Sequence, residues 1–113
     1  MTTLLVLFRR PDGGPEETEA FERAYAETHL PLAVETPGLR ALRVNRVSQG
    51  LGGETDLVVV TEMDFDDRTA LDAGLASDAM RAAGRNLRSI APGLATLLVL
   101  ERAPDLVPEA WQG

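Results

Sequence analysis

The sequence lacks several residue types that carry enzyme chemistry. It contains no cysteine, which excludes disulfides, thiolate nucleophiles and thiolate metal sites. It contains no lysine either, since all 11 basic residues are arginine, and this excludes Schiff-base chemistry. One histidine, His29, and one tyrosine, Tyr25, are present. The candidates for acid or base catalysis are therefore His29, Tyr25 and the carboxylates.

Long apolar runs and excess positive charge are also missing. No run reaches the roughly 20 residues that a membrane span needs, and the N-terminus has no basic region followed by a cleavage site. We therefore expect a cytoplasmic protein. A net charge of −7 argues against nucleic acid or an anionic membrane as a partner. The length of 113 residues predicts a single domain, with residues 103–113 as a C-terminal tail.

The order of predicted elements indicates an α+β fold with an internal repeat. The segment TPGLRAL in the first half corresponds to APGLATL in the second, and each leads into a strand. This βαββαβ order predicts the ferredoxin-like, split βαβ arrangement, an antiparallel four-stranded sheet with its helices on one face. The predicted strands are 3–10, 39–48, 55–65 and 94–102, with one helix from about residue 16 and another that Ser77 caps after a short helix.

The first helix carries the histidine near a proline. A period of 3.6 places one apolar stripe on it, with His29 at the edge of that stripe. Because Pro31 disfavours the α conformation at Leu30, we expect the regular helix to kink or stop near His29. The predicted stripe consists of Phe21, Ala24, Tyr25, Thr28 and Leu32.

The strands are apolar on both faces, which one layer of helices cannot cover. A second copy packed sheet to sheet about a two-fold axis would bury the other face and give a homodimer. Alternatively, the tail would cover that face with Leu106, Val107 and Trp111. The first strand has Leu5 and Leu7 on one face and Leu4, Val6 and Phe8 on the other. The third has Val58 and Val60 on one face and Leu57, Val59 and Met63 on the other, and the fourth has Leu98 and Leu100 opposite Leu97 and Val99.

The second strand differs from its neighbours because one of its faces is polar. Arg43 and Asn45 alternate with Leu42 and Val44. If the polar side is the face away from the helices, Arg43 and Asn45 line a pocket between the sheet and its partner. The alternative is an edge strand whose polar residues discourage aggregation.

The stretches LLVLFRR and FERAYAETHLPLAVETPGLRALRVNRV resemble the EthD domain family. The matching motif positions are His29, Pro31 and Leu32, then 37–40 (Pro-Gly-Leu-Arg), and Asn45. This resemblance implies the dimeric α+β barrel superfamily. That superfamily includes cofactor-independent monooxygenases, polyketide cyclases, muconolactone isomerases and haem-degrading enzymes, and the EthD family is named for a protein needed in ether degradation.

Two functions remain open for the histidine. In one, His29 is the acid or base for a small hydrophobic ligand, while Tyr25, Arg43 and Asn45 orient an oxygen of that substrate. In the other, His29 caps the helix by bonding carbonyls that Pro31 leaves free. The protein is accordingly a possible EthD-like oxidoreductase, isomerase or cyclase, or a non-catalytic ligand-binding module of an oxidation pathway. We expect no cofactor and no metal site.

Overall fold

The computed structural model describes residues 1–112 of the chain, which form a single antiparallel sheet of four strands. The strands are β1 (Thr2–Arg9), β2 (Ala41–Arg46), β3 (Leu57–Phe65) and β4 (Ala95–Glu101). Their order in the sheet is β2-β3-β1-β4. The central pair β1 and β3 is thus flanked by β2 and β4, which are the two open edges. This order confirms the predicted ferredoxin-like fold.

The helices pack on one face of this sheet, and side chains cap the starts of the last two. Ser77 accepts a hydrogen bond from the Met80 amide, and Asp67 accepts one from the Ala70 amide, so both caps satisfy an otherwise free N–H group. The predicted cap at Ser77 is therefore confirmed. The helices are α1 (Pro15–Ala24), a π-helical turn (Tyr25–His29), α2 (Leu30–Ala33), α3 (Arg68–Leu75) and α4 (Asp78–Ile90).

The interruption predicted near His29 takes the form of a π-helical turn, and the helix does not stop there. The π-helical turn, in which the Leu30 amide donates to the Tyr25 carbonyl, carries the chain past Pro31 into α2. A π-helical turn contains more residues than an α-helical turn, so residues on the same side of the helix are spaced further apart in the sequence. Burial consequently recurs every fourth residue, and His29 occupies the buried position predicted for Thr28, which is exposed. The buried residues of this helix are Phe21, Tyr25, His29 and Ala33.

The face of the sheet beneath the helices forms the core. The register pairs Leu4 with Met63 and Phe8 with Val59, so these side chains point to the same side. Phe8, Phe65 and Leu71 are the largest apolar side chains that are fully buried. Burial of this apolar surface is the main contribution to stability.

The opposite face, which we call the open face, is also largely apolar. Its aliphatic residues are Leu5, Leu7, Val60, Leu98 and Leu100, placed together by the pairing of β1 with β3 and β4. Leu98 and Leu100 are each more than 40% exposed. The tail does not cover this face, because Leu106 and Trp111 are about 80% exposed themselves. The interpretation in which the tail alone seals the open face is therefore wrong for this structure.

Within residues 1–112, the helices are too short and too polar for any of them to cross a membrane.

Two helical glycines should respond in opposite ways to the same substitution. A Cβ at Gly74 would lie 2.9 Å from Cε1 of Phe65 and 3.1 Å from Cγ2 of Thr36, whereas one at Gly84 would meet only an arginine nitrogen at 3.6 Å. We expect Gly74→Ala to lower the free energy of unfolding by about 1–3 kcal/mol through overpacking. Gly84→Ala should raise it by up to about 1 kcal/mol through helix propensity.

Urea denaturation of the two variants and the parent chain measures both changes. Equal stabilisation by the two substitutions would contradict the tight packing of Gly74 against Phe65.

Candidate functional site

A cavity of about 70 Å³ lies between the core face of the sheet and helix α4. Its walls are almost entirely apolar. Two small residues of α4, Ala83 and Gly84, leave this space open because they extend no long side chain toward the sheet. The other apolar lining residues are Leu4, Val6, Phe8, Leu30, Leu42, Met63, Met80, Leu87 and Leu97.

Three polar side chains reach the cavity: Tyr25, His29 and Thr61. The Tyr25 hydroxyl and Thr61 Oγ1 are 2.5 Å apart and share a buried hydrogen bond in which either can donate. Burial raises the pKa of Tyr25 to about 12, although the bond to Thr61 acts in the opposite direction. Tyr25 is therefore a neutral hydrogen-bonding group near pH 7 and not a base.

His29 is 7% exposed and stacks on Tyr25, with ring centroids 5.2 Å apart and an interplanar angle of 16°. Tyr25 in turn meets the edge of Phe8 at 4.9 Å. The π-helical turn makes this stacking possible, because it brings both rings to the buried side of the helix. The capping role does not fit this position, since the helix continues to Ala33 beyond His29.

One nitrogen of the His29 imidazole, Nδ1, is buried and has no hydrogen-bonding partner among residues 1–112. It is a free acceptor in the tautomer that carries its proton on Nε2. Burial lowers the pKa of His29, while the neighbouring Asn86 amide and the Ala83 carbonyl oppose this effect. The ring is therefore neutral at pH 7, and a neutral imidazole nitrogen can accept a proton.

Asn86 is a site residue that the sequence analysis missed. Its Oδ1 atom is buried without a partner among the described residues, and its Nδ2 atom donates to Thr28 Oγ1 at 3.3 Å. The signal was present in the sequence, because Asn86 lies three residues after Ala83 and so on the edge of the apolar stripe of α4.

Arg43 and Asn45 lie on the open face and not in this cavity. Arg43 donates to Asp64 at 2.7 Å, and Asn45 donates to Glu62 at 3.1 Å. Asp64 is buried and also accepts from Thr3, and these two donors lower the pKa of its carboxyl, with Thr3 the larger cause. The structure therefore brings Tyr25 and His29 together and separates them from Arg43 and Asn45 by the thickness of the sheet. A single site containing all four residues, as the sequence suggested, is wrong.

The acidic side chains do not assemble a metal site. Among residues 1–112, no group of three or more His, Asp or Glu side chains is placed to hold an ion.

Comparison with known proteins identifies relatives of the whole domain. Residues 15–92 match the family model described as EthD domain. An ethyl tert-butyl ether degradation (EthD) family protein from Bacillus halodurans C-125 is 31% identical, with 91% of this chain and 99% of that chain covered and a TM-score of 0.82. No functionally curated protein matches the sequence.

More distant structures share the fold. A dimeric protein of unknown function and ferredoxin-like fold from Bacteroides fragilis is 19% identical, covers 89% of this chain and 95% of its own, and has a TM-score of 0.64. SnoaB, a cofactor-independent oxygenase from Streptomyces nogalater, is 20% identical, covers 90% and 92%, and has a TM-score of 0.59.

The lowered pKa of His29 predicts a pH-dependent stability. At pH values between the pKa of His29 in the folded state and its unfolded value near 6.5, His29 is protonated in the unfolded chain and neutral in the folded chain. The free energy of unfolding should therefore fall as the pH drops through this window, and His29→Gln should remove that dependence. Because the chain has one histidine, a single imidazole NMR signal reports the pKa directly. A midpoint at or above 6.5 would contradict the burial of the ring.

Proposed function

This chain belongs to the EthD domain family, and we propose that it binds a small hydrophobic compound in the cavity and moves a proton to or from it through His29. The substrate class is an enolisable carbonyl compound or a phenol, because both combine an apolar body with one acidic proton. The proposal deals with the first chemical step, which several reactions share.

One observation carries this proposal: a buried, neutral imidazole with a free Nδ1 atom stands at an apolar cavity. An unpaired polar atom in such a place costs free energy, so it calls for a partner that the described residues do not supply. A ligand O–H or acidic C–H would be that partner. The pKa of His29, lowered from 6.5, keeps the ring ready to accept a proton at neutral pH.

Tyr25 would hold the substrate oxygen. Its hydroxyl shares one hydrogen bond with Thr61, and if Thr61 donates, the Tyr25 proton becomes free for the ligand. A hydroxyl with a pKa of about 12 remains protonated and can stabilise an enolate or phenolate as a hydrogen-bond donor. Stacking of Tyr25 on His29 keeps the donor beside the base.

The anion formed by proton removal has three fates. It can react with O₂, take back the proton at another carbon, or attack a carbonyl of the same molecule, which correspond to an oxygenase, an isomerase and a cyclase. Similarity to the fold of SnoaB, described as a cofactor-independent oxygenase, supports the first fate. This reaction needs no bound cofactor, since the substrate anion supplies the electrons.

A second candidate is a non-catalytic module that stores or delivers an apolar ligand. The small number of polar groups favours it, since the hydroxyls of Tyr25 and Thr61 already bond to each other and leave His29 alone to address a ligand.

We also propose that the chain is a homodimer joined through the open face. The aliphatic residues of that face support this, because soluble monomers seldom expose such a patch. Similar structures described as dimeric support it as well.

Exchange of substrate hydrogen into D₂O tests the proton transfer, because all three reactions begin with it. A panel of small enolisable ketones, whose acidic hydrogen is bonded to carbon and which suit a cavity of about 70 Å³, would be incubated with the protein and followed by mass spectrometry. We expect accelerated exchange for at least one compound, and about 10²–10⁴-fold slower exchange with His29→Gln, as for loss of a general base. Tyr25→Phe should reduce the rate less.

Arg85→Gln is the matched control, since Arg85 is exposed on the outer side of α4. Calorimetric binding of the same compounds separates the two candidate functions. Binding without accelerated exchange, unchanged in His29→Gln, would favour the ligand-binding module over the enzyme.

A further inference from the structure

The C-terminal segment 103–112, called the arm below, is ordered but has no support from its own chain. It forms two short 3₁₀ turns, Pro104–Leu106 and Glu109–Trp111. Gln112 holds them together by donating to the carbonyls of Pro104 and Val107, both at 2.8 Å. All ten residues are nevertheless exposed, including Trp111 at 82% and Leu106 at 80%. The arm therefore has a defined conformation, and its apolar side chains are exposed to solvent.

A crevice between α1 and β2 is the surface best suited to receive it. The ion pair of Glu22 and Arg46, at 2.7 Å, joins helix α1 to the edge strand, and beside it lies a gap with largely apolar walls. One part, of about 190 Å³, is lined by Tyr25, Ala26, Leu30, Val44 and Val59. It shares Glu22 and Arg46 with an adjoining groove of about 400 Å³ that contains Arg10 and Val47. Val44 is 43% exposed there.

In a dimer that packs through the open faces, the crevice of one copy lies near the arm of the other. If two open faces pack about a two-fold axis that runs along the strands, β4 of one copy lies across from β2 of the other. The arm leaves the sheet at the end of β4, directly after Glu101. Because Gln112 bonds back to Pro104 and Val107, the folded arm is compact, and we expect it to fill the part of the crevice beside Val44 and not its whole length.

We propose that the arm of each subunit docks in the crevice between α1 and β2 of the partner, with its Trp111 as the anchor. The apolar lining supports this, because Ala26, Leu30 and Val44 offer a contact surface for Trp111. Charge does not decide the position, since Arg46 is already paired with Glu22 at 2.7 Å. Large aromatic side chains are also the usual anchors of protein interfaces.

Docking of the arm would complete the wall of the cavity. Tyr25 and Leu30 line both the crevice and the cavity, so a side chain in the crevice packs against the outer side of these two residues. The partner would thus hold the ring of Tyr25 in place. This proposal rests on the proposed homodimer but not on proton transfer by His29, so it stands if that reaction fails.

Fluorescence of the single tryptophan tests the docking. At concentrations where sedimentation shows a dimer, we expect emission at shorter wavelength than free tryptophan and several-fold weaker quenching by acrylamide. Both properties should return to solvent-like values on dilution to monomer. A dimer with solvent-like Trp111 emission would overturn the proposal, and so would a protected Trp111 in the monomer, which would mean that the arm folds onto its own chain.

The absence of cysteine allows a second test by cross-linking. Single variants Val44→Cys and Ala110→Cys, one of them carrying a larger tag, would be mixed and treated with a short bismaleimide. We expect a band of mixed size, which only contact between two chains can give. Leu51→Cys, in an exposed loop, replaces Val44→Cys as the control and should give none. Equal cross-linking by the control would overturn the assigned position.

Trp111→Ala tests the anchor. We expect the dimer dissociation constant to rise about 10-fold or more, as for an interface hot spot, with unchanged circular dichroism because Trp111 contributes little to the fold of one chain. An unchanged dissociation constant would remove Trp111 as the anchor.

Discussion

The four-stranded sheet carries aliphatic side chains on both faces, and the need to keep them from water is the constraint on which the rest of the structure depends. On one face the helices cover the central strands, since they pack over Leu4, Phe8 and Met63, while Leu97 and Val99 of the edge strand β4 stay partly exposed. On the other face the chain supplies no cover, and Leu98 and Leu100 remain exposed. The two sides of the sheet therefore differ. The helix side encloses a small cavity lined by an imidazole, and the open side leaves an apolar surface beside the ion pair of Arg43 and Asp64.

The π-helical turn from Tyr25 to His29 converts this general architecture into a site. A regular α-helix would bury Thr28 and move His29 toward the surface. The turn instead makes burial recur at every fourth residue and stacks the two rings over the cavity. Wide turns of this kind are unusual in helices and frequently occur at functional sites. Here the irregularity has a direct structural result, because it removes the imidazole from water and lowers its pKa.

The order of elements, the antiparallel sheet and the helix cap at Ser77 could be predicted because each follows from a local pattern of apolar, turn and capping residues. An interruption of the first helix near His29 could be predicted from Pro31, but its form, a π-helical turn that buries His29, could not. The sequence also did not show that Arg43 and Asn45 lie on the opposite side of the sheet from Tyr25 and His29. Strand alternation shows that Arg43 and Asn45 share a face, but it does not tell which face the helices cover. Their partners Glu62 and Asp64 depend on the register between β2 and β3, which one sequence does not reveal.

The cavity owes its size to two small residues, Ala83 and Gly84, on a helix whose other contacts hold the fold. Each is one substitution away from a bulkier side chain. If the cavity binds a ligand as proposed, a change of a few atoms on α4 would alter the size of the molecule that fits, while His29 keeps its place on another helix. Selectivity could then evolve separately from the residue that carries the chemistry.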